Sequence, residues 1–254
     1  QFYTGVYLPL VEEVLMIVTC VAYFVIGVHE DLSGLLSAGL RFMVMLGVGL
    51  TTMLMAPALV LDPVGILWVD LIINASPLVA ALFTALCVAF IPNAFNTADG
   101  ANGLVAGVSA CALAGLTTVA PPSLVPLLLA ALVGCLVFLV FNLVSGRFFL
   151  GDGGAYFLGA LCGLSLVVVS NKSNVSAWWL VSLVFYPVAD LLWSMGRRIM
   201  QGVSPFKPDN QHFHNLLFAY LDSEGRSSMQ ANTMTGVLIA LIFSGAPLAL
   251  TLAG

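Results

Sequence analysis

Asn93-Ala-Phe-Asn-Thr-Ala-Asp-Gly-Ala-Asn-Gly-Leu104 is a polar island between two long apolar runs. Asn93, Asn96, Asp99 and Asn102 recur every third residue, and only glycine and alanine separate the last of them. On a helix start, Asn96, Asp99 and Asn102 would share roughly one face. Free backbone N–H groups at such a start attract anions, and the side chains can take a cation or a polar ligand. A polar turn with Asp99 as a helix cap explains a lone Asp-Gly pair equally well. Four spaced carboxamides and carboxylates at the edge of apolar sequence favour a site.

The rest of the chain is membrane sequence built around that island. Hydrophobic residues make up 61% of the 254, charged residues 7%, and the mean hydropathy is +1.09. A soluble domain carries about 25% charged residues, so the composition excludes one and predicts an all-α, polytopic transmembrane bundle forming a single domain over 1–254. The few scattered basic residues exclude a nucleic-acid surface. Cys20, Cys87, Cys111, Cys135 and Cys162 lie inside apolar runs without CxxC spacing and read as small buried hydrophobes. The chain opens on Gln1 with no basic stretch before its first apolar run, so no signal peptide is expected, and the sequence reads as starting partway through a longer protein.

A spanning helix needs about 20 mostly apolar residues, which gives about eight candidates: Tyr7–Gly27, Leu40–Leu61, Ser76–Pro92, Gly103–Ala120, Leu124–Val144, Gly154–Ser170, Ala177–Ile199 and Asn232–Ala253. With eight crossings, His29-Glu30-Asp31, the Asn93–Asn102 stretch, Arg147–Asp152 and the polar segment Met200–Ala231 share one side. That side carries Arg41, Arg147, Arg197, Arg198, Lys207 and Arg226, against Lys172 on the other, so it is expected to be cytoplasmic. Trp68 and Trp178-Trp179 fall near the outer boundary, as an aromatic belt would place them.

Several acids stand out on the polar side. Glu30-Asp31 follows the first apolar run and reads either as end-of-helix solvation or as part of a site. Asp152 sits in Gly146-Arg-Phe-Phe-Leu-Gly-Asp-Gly-Gly-Ala-Tyr156, as an N-cap or as a hard-oxygen Mg²⁺ ligand with glycines admitting a phosphate. Asp190 lies inside an apolar run, as a functional acid or paired with an arginine. His212 and His214 lack a third nitrogen or sulfur ligand for zinc, and anion contact near a helix start suits them better. Several carboxylates, few cations and no Ser or Cys triad suit an Mg²⁺-dependent phosphoryl transfer.

The motifs Asn-Ala-Phe-Asn-x-x-Asp-Gly-x-Asn-Gly-Leu, Phe-Leu-Gly-Asp-Gly-Gly-Ala-Tyr and Ser-Pro-Phe-x-Pro-Asp-x-x-His-x-His resemble the polyprenyl-phosphate N-acetylhexosamine-1-phosphate transferases, in particular their WecA-like branch. That resemblance implies an enzyme of the bacterial inner membrane. It would transfer N-acetylhexosamine 1-phosphate, GlcNAc-1-phosphate first, from a UDP-sugar to undecaprenyl phosphate and release UMP, with Mg²⁺ or Mn²⁺ as cofactor. By position it implies Glu30, Asp31, Asp99 and Asp152 as the acidic motifs, with Asp152 and Asp31 toward the metal. Asn142 and Phe149 match positions linked to the uridine, and His212 and His214 the histidine loop. Asn93, Asn96 and Asn102 join the substrate-binding set, and a homodimer stays open.

The departures from the family are specific. The acidic pair reads Glu-Asp where Asp-Asp is usual, and Asn215 stands where a further histidine is usual. Arg41 is a loose substitute for the family's lysine. Two further helices and a basic loop normally precede the first helix, so an N-terminally incomplete and inactive relative is the second reading. A transporter is the third, but its polar groups would sit at mid-membrane on interrupted helices, whereas these gather at one face.

Overall fold

The computed structural model describes residues 10–207 and 209–252, and their regular structure is helical throughout. The helices are α1 (Leu10–Ser33), α2 (Ala38–Met55), α3 (Leu67–Ile73), α4 (Pro77–Ala98), α5 (Leu104–Val119), α6 (Val125–Ser145), α7 (Gly151–Lys172), α8 (Ala177–Ser182), α9 (Phe185–Met200), α10 (Phe213–Ser223), α11 (Ser228–Ala240) and α12 (Ala246–Leu252). A wider turn at Leu241–Gly245 joins α11 to α12 in one rod. The expected terminus Gln1, the span start at Tyr7, the span end at Ala253, and Pro208 lie outside the described residues.

Six helices among the described residues are long and apolar enough to cross a membrane: α1, α2, α4, α6, α7 and the rod Ser228–Leu250. The two other expected spans take different forms. The fourth is the 16-residue α5, and the seventh breaks at Leu183–Val184 into α8 and α9. Side-chain caps fix several starts. Ser76 accepts from Val79 N at 3.2 Å with Pro77 at the first helical position, and Ser227 with Gln230 forms a reciprocal capping box.

At the centre stands α7, with 15 of its 22 residues buried, against α1, α4 and α5. Lipid is as apolar as leucine, so helices associate in a membrane by close packing, which small residues permit. A Cβ on Gly159 would lie 2.5 Å from Pro92 Cα of α4, and one on Gly27 of α1 would lie 2.5 Å from the Asp152 carbonyl and Gly153 Cα. In contrast, α6 buries only Leu128, Cys135 and Asn142 and turns Val133, Leu136, Val137 and Val140 outward.

The two ends of the bundle differ in kind. At one, polar groups close loops: Asn171 accepts from Asp62 N and donates to Val60 O, and Asp70 accepts from Val64 N and Gly65 N. The other end gathers the C-termini of α1, α4, α6 and α9 and the starts of α2, α5, α7 and α11.

Two local expectations change. The island at 93–104 is a helix end and a turn: Asn93 and Asn96 lie on the last turns of α4, Asp99 is its C-cap, and α5 starts only after Gly103. The apolar run through Pro92 carries the helix six residues further than hydropathy alone suggests. Glu30 and Asp31 are likewise inside α1.

Candidate active site

The α1 and α7 helices meet end to start, and Asp31 joins them. Its Oδ1 accepts from Asp152 N at 3.0 Å and its Oδ2 from Gly153 N at 3.1 Å. The first N–H groups of a helix have no partner within it, and a carboxylate at that end is stabilising by about 0.5–2 kcal/mol. Here the cap comes from another helix. Asp152 is therefore the second residue of α7 rather than its cap, and its side chain is released for other work. Gly151 has φ +68°, and a Cβ there would lie 2.8 Å from Asp31 Oδ2, so this crossing needs glycine twice over.

Two helices reach the Asp152 carboxylate of α7. Asn96 of α4 donates to Oδ1 at 2.6 Å, and Arg41 of α2 donates to Oδ2. The same Arg41 Nη1 lies 3.7 Å from Glu30 Oε1. Glu30 also accepts from Leu36 N at 2.9 Å, which folds the α1–α2 connection back over the cluster. Among the described residues, Arg41 is the cation paired with this acidic group, through Glu30 and Asp152.

Asp99 is half-buried at the end of α4 and makes no side-chain hydrogen bond among the described residues. Burial, then the charges of Asp152 and Asp31, push its carboxyl up to about 7. Among the described residues, no three His, Cys, Asp or Glu side chains are gathered closely enough to hold a metal ion outright. The donor chemistry is nevertheless that of a hard cation: carboxylate oxygens that repel one another, with Asp152 already holding a positive group. A divalent ion would fit these carboxylates in kind.

The remaining candidates divide between site and scaffold. Asn93 donates to Ala89 O at 2.8 Å and to Met45 Sδ at 3.7 Å, so it ties α4 to α2. Asn102 is held by α11, its backbone N–H by Asn232 Oδ1 at 2.7 Å and its amide by Thr233. Asn142 is buried, accepts from Gly103 N at 2.6 Å and donates to Phe148 O at 2.7 Å. It therefore fixes the α4–α5 turn and the α6–α7 loop together, and Phe149 on that loop is 76% exposed.

His212 is the N-cap of α10 and His214 lies in its first turn, with the two rings stacked 5.5 Å apart. Asp190 pairs with His212 at 2.6 Å, and not with an arginine, which was one of its two readings. Both nearby arginines are engaged elsewhere: Arg197 and Arg198 grip Asp209 at 2.8–3.0 Å. Burial opposes it, but the hydrogen bonds from Arg198 and Arg197 hold the Asp209 carboxyl well below the usual carboxylate range. Burial also holds His214 down to about 4, with His212 adding to the effect. A Cβ on Gly100 would overlap the His214 ring at Nε2, which brings the histidine pair against the Asp99–Gly100 turn.

Fold and site together define a polytopic helical membrane protein with an acidic cluster at one end of its bundle. The family model described as Glycosyl transferase family 4 matches residues 14–170, and the chain belongs to that family. The match runs from within α1 to within α7, includes Glu30, Asp31, Asp99 and Asp152, and stops before His212 and His214. The chain is similar to undecaprenyl-phosphate alpha-N-acetylglucosaminyl 1-phosphate transferase of Escherichia coli (strain K12), 31% identical over 165 residues, which is 60% of this chain and 43% of that protein. The protein of the same name from Salmonella typhi is 30% identical over 163 residues, 59% and 42%. Decaprenyl-phosphate N-acetylglucosaminephosphotransferase of Mycobacterium leprae is 27% identical over 184 residues, 62% and 46%. The alignments span less than half the length of these curated relatives.

Proposed function

We propose that this protein transfers N-acetylhexosamine 1-phosphate, GlcNAc-1-phosphate first, from a UDP-sugar to undecaprenyl phosphate in the bacterial inner membrane, with Mg²⁺ or Mn²⁺. The observation that carries this reading is the gathering of Glu30, Asp31, Asp99 and Asp152, from three segments, at one end of the bundle, with Arg41 between Glu30 and Asp152. A lipid phosphate anchored in the bilayer and a water-soluble nucleotide sugar can meet only at such a boundary. The names of the relatives supply the acceptor and the sugar. The excess of arginine and lysine at this end supports a cytoplasmic site.

An acceptor phosphate oxygen would attack the sugar-bearing phosphorus as the diphosphate bond breaks, and UMP would leave with the bonding electron pair. When bound, the metal ion would neutralise the diphosphate. Asp152 would hold it, with Asp31 beside it keeping the start of α7 in place. Arg41, fixed between Glu30 and Asp152, would steer the acceptor phosphate. Asp99, with its carboxyl near 7, suits removal of that phosphate's remaining proton. His212 and His214 would hold the donor's phosphates, and the loop that Asn142 braces would offer Phe149 to the uracil.

The test supplies detergent-solubilised protein with Mg²⁺, UDP-GlcNAc or UDP-GalNAc, and undecaprenyl phosphate, and measures UMP. UMP formed only when donor, acceptor and metal are all present, in step with a lipid-linked sugar diphosphate, is the expected result. No UMP from either donor would favour the inactive relative.

A further inference from the structure

Tyr186 and Asp190 lie at i and i+4 on α9, so they share one face of that helix. Both are buried, and each touches one histidine of the α10 start. The backbone N–H of His214 donates to Tyr186 Oη at 3.1 Å, and the same Oη lies 2.9 Å from His214 Nδ1. No other acceptor among the described residues meets the Tyr186 hydroxyl proton. A buried O–H donor is almost always satisfied, so this proton goes to Nδ1, which must then be the ring's unprotonated nitrogen. Asp190 does the opposite to His212. Its Oδ1 accepts from Phe213 N at 3.0 Å and its Oδ2 faces His212 Nδ1 at 2.6 Å, which requires a proton on that nitrogen.

We propose that Tyr186 and Asp190 are positioning residues that keep Nδ1 bare in His214 and protonated in His212, so that His214 presents Nε2–H as a fixed donor to the Asp99–Gly100 turn. The ligand it would meet there is a phosphate oxygen of the nucleotide sugar, a part of the proposal that rests on the transferase reading. The ring can come this close to the turn because Gly100 has no side chain: a Cβ there would overlap Nε2. Burial favours the neutral imidazole, and a neutral ring can donate from only one nitrogen. His212, stacked 11° from parallel on His214, keeps that ring from rotating. Tyr186 itself is braced by Phe213 and Phe243, with ring centroids 6.4 and 5.7 Å away.

The chain contains three histidines, so ¹⁵N-histidine labelling of the whole protein gives three resolvable rings. The His214 signals, assigned by loss in His214→Asn, should show Nε2 protonated and Nδ1 bare at neutral pH. Tyr186→Phe should let His214 populate both tautomers and should lower kcat about 10- to 100-fold, as loss of an orienting partner does, with KM for the UDP-sugar little changed. Asp190→Asn should lower kcat similarly while leaving the His214 tautomer as it was. A proton on Nδ1 of His214 in the unsubstituted protein would overturn the proposal, as would an unchanged tautomer in Tyr186→Phe. An altered tautomer with undiminished kcat would overturn its functional half. The spectrum needs no turnover, so the tautomer assignment is decided even if Tyr186→Phe fails to fold or UMP release is absent, and absent release sinks the transferase reading alone.

Discussion

Asp99→Asn is expected to stabilise the protein at alkaline pH and to do so less and less as the pH falls. The carboxyl has a raised value, from 3.8 to about 7, through burial and the charges of Asp152 and Asp31. A raised carboxyl gives its full contribution to stability below its unfolded value and loses it as pH rises through the folded one. At about 1.4 kcal/mol per pH unit, the whole shift corresponds to an upper bound of about 4 kcal/mol above pH 7. Asp99 keeps some contact with water, so screening leaves on the order of 2 kcal/mol. Asparagine is nearly isosteric, uncharged, and loses no hydrogen bond, because the Asp99 side chain makes none among those described. Thermal melts followed by tryptophan fluorescence in detergent and metal-free buffer, from pH 5 to 9, should show the variant gaining on the unsubstituted protein by about 5 °C at pH 8 and above. The gain should shrink steadily towards pH 5. A difference that is flat with pH, or that favours aspartate at pH 8, would refute the electrostatic reading of the cluster.

Three further outcomes follow from the same geometry. Gly27→Val drives a side chain into the backbone of Asp152 and Gly153, and should cost about 1–3 kcal/mol in detergent melts together with most of the activity. Arg41→Ala leaves Asn96 as the single partner of the Asp152 carboxylate among the described residues, and should lower UMP release about 100-fold while the protein stays folded by circular dichroism. Cysteines introduced at Ser33 and Ser145 in a background without native cysteine should react only with reagents that enter the cell, and labelling of either from outside would invert the topology.

The membrane fold was legible because composition is decisive: a chain with 7% charged residues has few other ways to bury itself. Where helices end was not. Pro92 and Asn93 resemble a boundary by hydropathy, yet the backbone continues to Ala98, since a helix in a bundle tolerates both when neighbours satisfy them. The break at Leu183–Val184 lies just before Pro187, which cannot donate to Leu183 O, a signal that the unbroken apolar run conceals. In the site, the acids were visible as polar residues in apolar surroundings, but their partners were not, because each comes from a distant segment. Asp31 caps a helix 121 residues away, and Asp190 meets a histidine rather than the arginines seven and eight residues on. Asn142 and Asn102, singled out as substrate contacts, spend their hydrogen bonds on bracing loops and α11. The same spacing serves both uses, and only the fold separates them. Tyr186 and Gly27 had no signal, since a tyrosine and a glycine in an apolar run are ordinary.

The central claim is that Asp152, oriented by Asn96 and Arg41 at the start of α7, is the group on which phosphoryl transfer depends. The direct measurement is UMP release by Asp152→Asn beside the unsubstituted protein, with UDP-GlcNAc, undecaprenyl phosphate and Mg²⁺ and with equal folded fractions verified by size-exclusion chromatography. Asparagine keeps the size and can still accept from Arg41, so the helix crossing held by Asp31 should survive. The account predicts a folded variant whose UMP release falls by at least about 100-fold and is not restored by raising Mg²⁺. Turnover within a few-fold of the unsubstituted protein would contradict it and leave Asp152 as a structural partner of Arg41.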